Sequence, residues 1–189
     1  MAITRLGGAN AITGTIPTSV GGTGSTAATL PASLINNTSI GNITALPAGV
    51  GGKVLQVVQG THASEDNFAT TSYQASATDV TITPSSASSK ILVTYSISFF
   101  IDTTNAEWVH TLYRDSTNLA STAAQGFGTI RCNINNYGSQ VSIQYLDSPN
   151  TTSAIEYECY VKRNAGGGDL FLNHNSSATS TIIATEIGV

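Results

Sequence analysis

KILVTYSISFFI (Lys90–Ile101) decides how this chain is read. Ile91, Val93, Tyr95, Ile97, Phe99 and Ile101 stand at every second position, while Thr94, Ser96 and Ser98 fill places between them. Successive side chains of a strand point to opposite faces, so this pattern makes a strand with one dry face and one wet face. The alternation returns in TIRCNI (Ile130, Cys132, Ile134), in VSIQYL (Val141, Ile143, Tyr145) and in IEYECYV (Ile155, Tyr157, Cys159, Val161). Between these runs lie turn-forming stretches: TPSSASS at 83–89, RDSTN at 114–118, NNYGS at 135–139, DSPNTT at 147–152 and NAGGGD at 164–169. Further strands are expected over 53–59, 68–73, 79–83, 107–113, 169–173 and 180–187. Short strands joined by tight turns, with no amphipathic helix to serve as a crossover, give an all-β fold: an antiparallel jelly-roll-like sandwich.

The first quarter of the chain is different material. No aromatic residue occurs before Phe68, and through Gly52 the only charge is Arg5, yet ten of the 18 glycines lie there together with Pro17, Pro31 and Pro47. Such a segment cannot bury enough apolar surface by itself to offset the entropy of ordering its backbone. It nevertheless carries spaced aliphatics, among them Ile3, Leu6, Ile12, Ile16 and Val20, which a plain flexible linker does not need. The expected organisation is therefore an extended Gly/Thr/Pro-rich N-terminal attachment arm over residues 1–51, followed by a β-sandwich head over 52–189. A floppy tail is the alternative reading of the arm.

Composition narrows the function. Charged residues make up 10% of the chain, the net charge is −4, and seven Lys and Arg are scattered along it. That leaves no basic footprint for a phosphate backbone, so no nucleic-acid partner is expected. No run approaches the ~18 apolar residues of a membrane-spanning helix, and the start MAITRLGGANAITG lacks the apolar centre of a signal peptide; no membrane insertion is expected. Cys132 and Cys159 fall on the apolar sides of their strands and read as small buried hydrophobes, with a disulfide between neighbouring strands as the alternative. His62, His110 and His174 lack a second ligand at metal spacing, and the Glu65-Asp66 and Glu156/Glu158 pairs read as solvated carboxylates. No phosphate-loop, nucleophile-elbow or zinc-protease motif occurs, so catalytic residues, cofactor and metal are all expected to be absent and the chain is not read as an enzyme.

Two patterns suggest contacts instead. KVLQVVQ places Val54, Leu55, Val57 and Val58 on both faces of one strand, which asks for a second apolar partner. The expected partner is a neighbouring subunit in a trimer; a central strand buried on both sides of a single subunit is the alternative. For recognition of a host-surface glycan or protein, the candidates are Tyr137 in its NNYGS turn, Trp108, and the polar loop of Asn173, His174 and Asn175. Aromatic rings stack on sugar faces, while amides and hydroxyls bond sugar hydroxyls.

The leader LGGANAITGTIPTSVGGTGST (6–26) resembles N-terminal segments of bacteriophage fibre proteins, in which a GT[IL]P…GGTG element is common. The later run GGKVLQVVQ, TDVTITPSSASSKILVTYSISF, LYRDSTNL, YLDSPNTTSAIEYECYVK and STIIATEI resembles a family of virion β-proteins of marine and aquatic phages. The resemblance implies a homotrimeric tail fibre or capsid appendage, assembled in the host cytoplasm and resident in the virion. In that reading the arm joins other virion proteins of the tail or capsid. The chain departs from typical fibres in having no shaft of repeats, which makes a capsid decoration protein the alternative. A glycan-degrading fibre enzyme is a third reading, and those chains present paired carboxylates in a groove. Deleting residues 1–50 is expected to leave a soluble head that unfolds cooperatively on heating but no longer joins the particle. Loss of the cooperative transition on truncation would place the leader in the core.

Overall fold

The computed structural model describes residues 53–188, and the attachment arm expected over 1–51, with Ile3, Leu6, Ile12, Ile16 and Val20, lies outside them. Among these described residues eleven strands are formed: β1 (Lys53–His62), β2 (Asp66–Phe68), β3 (Gln74–Ile82), β4 (Lys90–Ile101), β5 (Ala106–Arg114), β6 (Thr117–Asn118), β7 (Gly128–Cys132), β8 (Tyr137–Asp147), β9 (Ile155–Ala165), β10 (Leu170–Leu172) and β11 (Ser180–Gly188). They make two antiparallel sheets. In one, called sheet A here, β1 pairs β11, β11 pairs β4 and β4 pairs β8, with β10 and β2 continuing it beside the far end of β4. In the other, sheet B, the order is β3-β9-β5, and β7 and β6 share the remaining edge of β5.

Setting aside β2, β6 and β10 leaves eight strands. The first of these pairs the last (β1·β11), the second the seventh (β3·β9), the third the sixth (β4·β8) and the fourth the fifth (β5·β7). A long antiparallel ribbon rolled up on itself has this pairing, and it defines a jelly roll. The expected fold class is the observed one.

Alternation explains how the sheets close. Ile91, Val93, Tyr95, Ile97, Phe99 and Ile101 of β4 are all buried and meet Trp108, Leu112, Tyr157, Cys159 and Val161 of sheet B. Cys132 and Cys159 are buried and unbonded. Polar groups trim the core at its ends. Beside Ile91, Asp147 Oδ2 accepts hydrogen bonds from Arg114 Nη1 and the Tyr157 hydroxyl, each at 2.7 Å. On the other side of Ile91, Glu186 takes hydrogen bonds from Gln56 and from the Ser85 amide and hydroxyl. Burial would raise the Glu186 pKa, but the bonds from Ser85 and Gln56 outweigh it and hold the carboxyl down at about 2.

Four expectations are corrected. The segment 68–73 is not a strand: β2 stops at Phe68, and the following loop meets β9 through Thr70 O, which accepts from Arg163 N. Ile134 does not share the face of Ile130 and Cys132, because β7 ends at Cys132; Ile134 is 60% exposed. Tyr137 is not a turn residue but opens β8, opposite Ile101. And β1 is not a central strand buried on both sides, since it lies on the edge of sheet A with Val54 and Val57 open to solvent.

In the middle of the core the Tyr95 hydroxyl meets His110 Nδ1. Burial pushes the Tyr95 pKa up and lowers that of His110 to about 4, so both rings are neutral. A histidine whose folded pKa lies below its unfolded value of 6.5 stabilises the fold fully above pH 6.5 and loses that contribution as pH falls towards 4. Across that window the protein is expected to lose on the order of 3 kcal/mol of stability that His110→Gln retains. Urea unfolding at a series of pH values checks this, and equal pH slopes in the two proteins would refute it.

Candidate functional site

The two sheets differ in what their outer faces show. Thr111 of β5 occupies an outward position, opposite Tyr160 of β9, yet it is fully buried. Its hydroxyl donates to Asn118 Oδ1, and a Cβ on Gly126 would lie 3.0 Å from Thr111 Cβ and 3.1 Å from the Tyr73 hydroxyl. Tyr113 stacks on Tyr160 at 3.9 Å, Tyr73 meets Tyr113 edge-on, and Lys162 Nζ sits 4.5 Å over the Tyr73 ring. The 118–127 loop and this tyrosine cluster therefore cover much of sheet B.

The outer face of sheet A carries three zones along the length of β4. At one end a row crosses all four strands through Val57, Thr185, Leu92 and Leu146, with Val54 opposite Ile187 beside it. Val57 is 59% exposed and Leu146 49%, so this end is an open apolar patch. Of the residues expected there, Val54, Leu55 and Val57 are exposed, whereas Val58 turns inward and packs against the core. The middle zone is polar. Ser96 Oγ is bonded by Gln140 Nε2 and by the Ser142 hydroxyl, and Thr61 and Thr181 continue the same row.

At the other end, on the order of 25 Å away for the eight residues from Leu92 to Phe100, lies an open groove of about 550 Å³ lined by Ser98, Phe100, Gly138, Ser139, Gln140, His174 and Ser177–Thr179. Its wall is aromatic. The His174 ring stacks on Phe100 with centroids 4.1 Å apart and planes within 5°, and Phe171 meets both rings edge-on or nearly so. His174 Nδ1 lies 2.9 Å from Glu65 Oε2, which also accepts from the Asn175 amide.

The turn that presents His174 is built by its neighbours. Asn173, Asn175 and Ser176 all have positive φ, a conformation in which asparagine is among the residues best tolerated. Asn173 is fully buried: its amide donates to His62 O and Ser64 O, and its Oδ1 accepts from the Ser180 hydroxyl. That removes Asn173 as a receptor contact, because its polar atoms are already spent in fixing the turn. Trp108 is removed too, since its ring is 0% exposed and packs in the core. His174 alone of the expected candidates lines the groove. Asn175 is exposed on the same turn, and Tyr137, 37% exposed, does not line the groove but lies on the inner side of β8 against Phe99.

Sequence reasoning missed Phe100 and Gln140. A signal for Phe100 was present: it is a large aromatic at a wet-face position of the strand with the strictest alternation. Gln140 had none, being one polar residue among many. Among the described residues, no cluster of three His, Cys, Asp or Glu side chains is placed to hold a metal ion, and no helix is long and apolar enough to cross a membrane.

The strand order and the bare face of sheet A thus define an eight-stranded jelly-roll domain with one loop-covered sheet and one open sheet. No known protein family and no curated protein matches the sequence. Among solved structures, the chain is similar to the infectious bursal disease virus Gt strain structure, with 11% identity and a TM-score of 0.41 over 70% of this chain and 39% of that one. It is also similar to the VP2 subviral particle of the same virus, with 10% identity and a TM-score of 0.37 over 70% of this chain and 39% of that one. The chain spans about two fifths of the length of these viral chains, and the fold assignment rests on strand order rather than on them.

Trp108→Ala is expected to cost about 3–5 kcal/mol of stability through the cavity it leaves. Asn173→Ala should cost about 2–3 kcal/mol, because the turn loses the hydrogen bonds its buried side chain makes to His62, Ser64 and Ser180. Tyr137→Ala should stay within about 1 kcal/mol of wild type. Denaturant unfolding of the three variants ranks them, and a Trp108 variant as stable as the Tyr137 variant would contradict the core assignment.

Proposed function

We propose that this chain is a structural protein of a bacteriophage particle: a homotrimeric fibre whose leader anchors it to other virion proteins and whose head faces the host surface. The observation that carries the reading is the polarity of sheet A. The leader runs into β1 at Lys53, beside the apolar patch, and the groove lies at the opposite end of the same face. Attachment and subunit contact belong to the apolar end. Recognition belongs to the groove end.

In this reading Val54, Leu55, Val57, Leu92 and Leu146 meet the same patch on neighbouring copies, since an exposed apolar surface of this kind is stabilised by covering it. The arm over residues 1–51 supplies the particle contact through its spaced aliphatics, and its ordering is coupled to binding. The protein is non-catalytic and works in the virion after assembly in the host cytoplasm. A second reading has its own support. β1 begins directly after the leader with no shaft between them, which suits a decoration protein clamping capsid subunits and stabilising the head shell.

Labelling intact particles with an antibody against the head separates the two readings. Label at the tail favours the fibre, label over the shell favours decoration, and its absence from particles rejects both. The subunit contact has its own test in the double variant Val57→Lys, Leu146→Lys. Both side chains are exposed, so the fold is expected to keep its unfolding midpoint while a wild-type trimer falls to monomers in sedimentation. A wild-type chain that sediments as a monomer at micromolar concentration would end the trimer proposal.

A further inference from the structure

We infer that the groove at the Phe100 end of sheet A binds an uncharged saccharide chain, with the Phe100–His174 stack as platform and Gln140, Ser98 and Thr179 as hydroxyl partners. The inference rests on the outward-facing head proposed above, and it names the ligand class and the residues that take it.

Charge gives the first argument. No Asp, Glu, Lys or Arg lines the groove, and its one ionisable ring, His174, is already matched by Glu65 at 2.9 Å. An anionic ligand would therefore find no unmatched counter-charge, whereas a neutral polyol loses nothing by that lack. Geometry gives the second. A sugar ring has one apolar C–H face and a rim of hydroxyls, and it stacks on aromatic rings as other apolar surfaces do. Here an aromatic wall stands beside Ser98, Gln140 and Thr179 in one depression. Gln140 Nε2 is committed to Ser96, which fixes the side chain and leaves its carbonyl oxygen to accept a sugar hydroxyl.

Preorganisation gives the third. His174 is held by the ring beneath it and by the carboxylate beside it, on a turn whose three left-handed residues are locked by the buried Asn173. A platform fixed before binding spends little of the binding energy on ordering itself. The groove is open rather than enclosed, so a chain can lie along it instead of a small molecule being swallowed.

The test uses the full chain on an array carrying neutral oligosaccharides, acidic oligosaccharides and host envelope proteins. Binding is expected on neutral glycans. Gly138→Trp, which fills the groove from an exposed outward position opposite Phe100 where a Cβ meets only ordinary contacts, and His174→Ala should each weaken it roughly tenfold or more. Gly138→Trp should do so with an unchanged unfolding midpoint. Binding confined to acidic glycans, binding confined to a protein, binding that Gly138→Trp leaves intact, or no binding to any neutral glycan would each overturn the inference. Particle labelling keeps this separate from the virion reading. A head present on particles without neutral-glycan binding defeats the saccharide site alone, and glycan binding by a chain absent from particles defeats the virion reading alone.

Discussion

The inner face of β4 is the constraint on which the head depends. Six apolar side chains from Ile91 to Ile101 point the same way, and every one of them is buried against sheet B. A strand has a side-chain period of two, so a slip of one residue would turn that row outward and bring Thr94, Ser96 and Ser98 inside. The register with β8 on one edge, and with β11 and β10 on the other, is thereby fixed. Fixing register also fixes the outer face. The same pairing that buries Tyr95 stacks Ser96 beside Ser142, and the pairing that buries Phe99 and Ile101 leaves Phe100 facing the groove.

Most of the fold was legible in the sequence for this reason. β4 matches its expected bounds, and the dry sides of β7 and β9 are the ones their alternation gives, because period-two burial is a local signal. What escaped was non-local. Ile134 continues the pattern of β7 on paper, but the strand ends at Cys132, whose thiol donates to Ile134 O. The face of Trp108 is not readable from alternation because nearly all of β5 is buried on both sides, its outward positions being covered by the 118–127 loop. Asn173 looked like a free polar residue, and its role as the lock of a turn depends on His62 and Ser64, which no local pattern links to it. The site was half visible: His174 was named from its polar loop, while its partner Phe100 is apparent only once β4 and the 174–176 turn are placed together.

Scarcity of charge runs through the whole design. With few ionic groups, the head relies on buried pairs placed at the ends of its core, where Asp147 and Glu186 flank Ile91 and each is satisfied by neighbours. Buried carboxylates are tolerable only when their bonds are met, and here serines, a glutamine, a tyrosine and one arginine meet them. The middle of the outer face of sheet A is left to hydroxyls and amides, with the apolar patch at one end and the groove at the other.

The pairing of the first strand with the last has a kinetic consequence. Lys53 lies opposite Gly188, and β11 separates β1 from β4, so sheet A cannot close until the C-terminal strand has been made. Contacts so distant along the chain require a large loop closure before they give anything back, which makes such topologies slow to fold. During synthesis the leader emerges first, while β1 waits without its neighbour. The newborn chain therefore passes through an interval in which the edge of β4 and the inner face of the roll are open to other nascent chains. Synthesis of β11 acts as the timer that ends it.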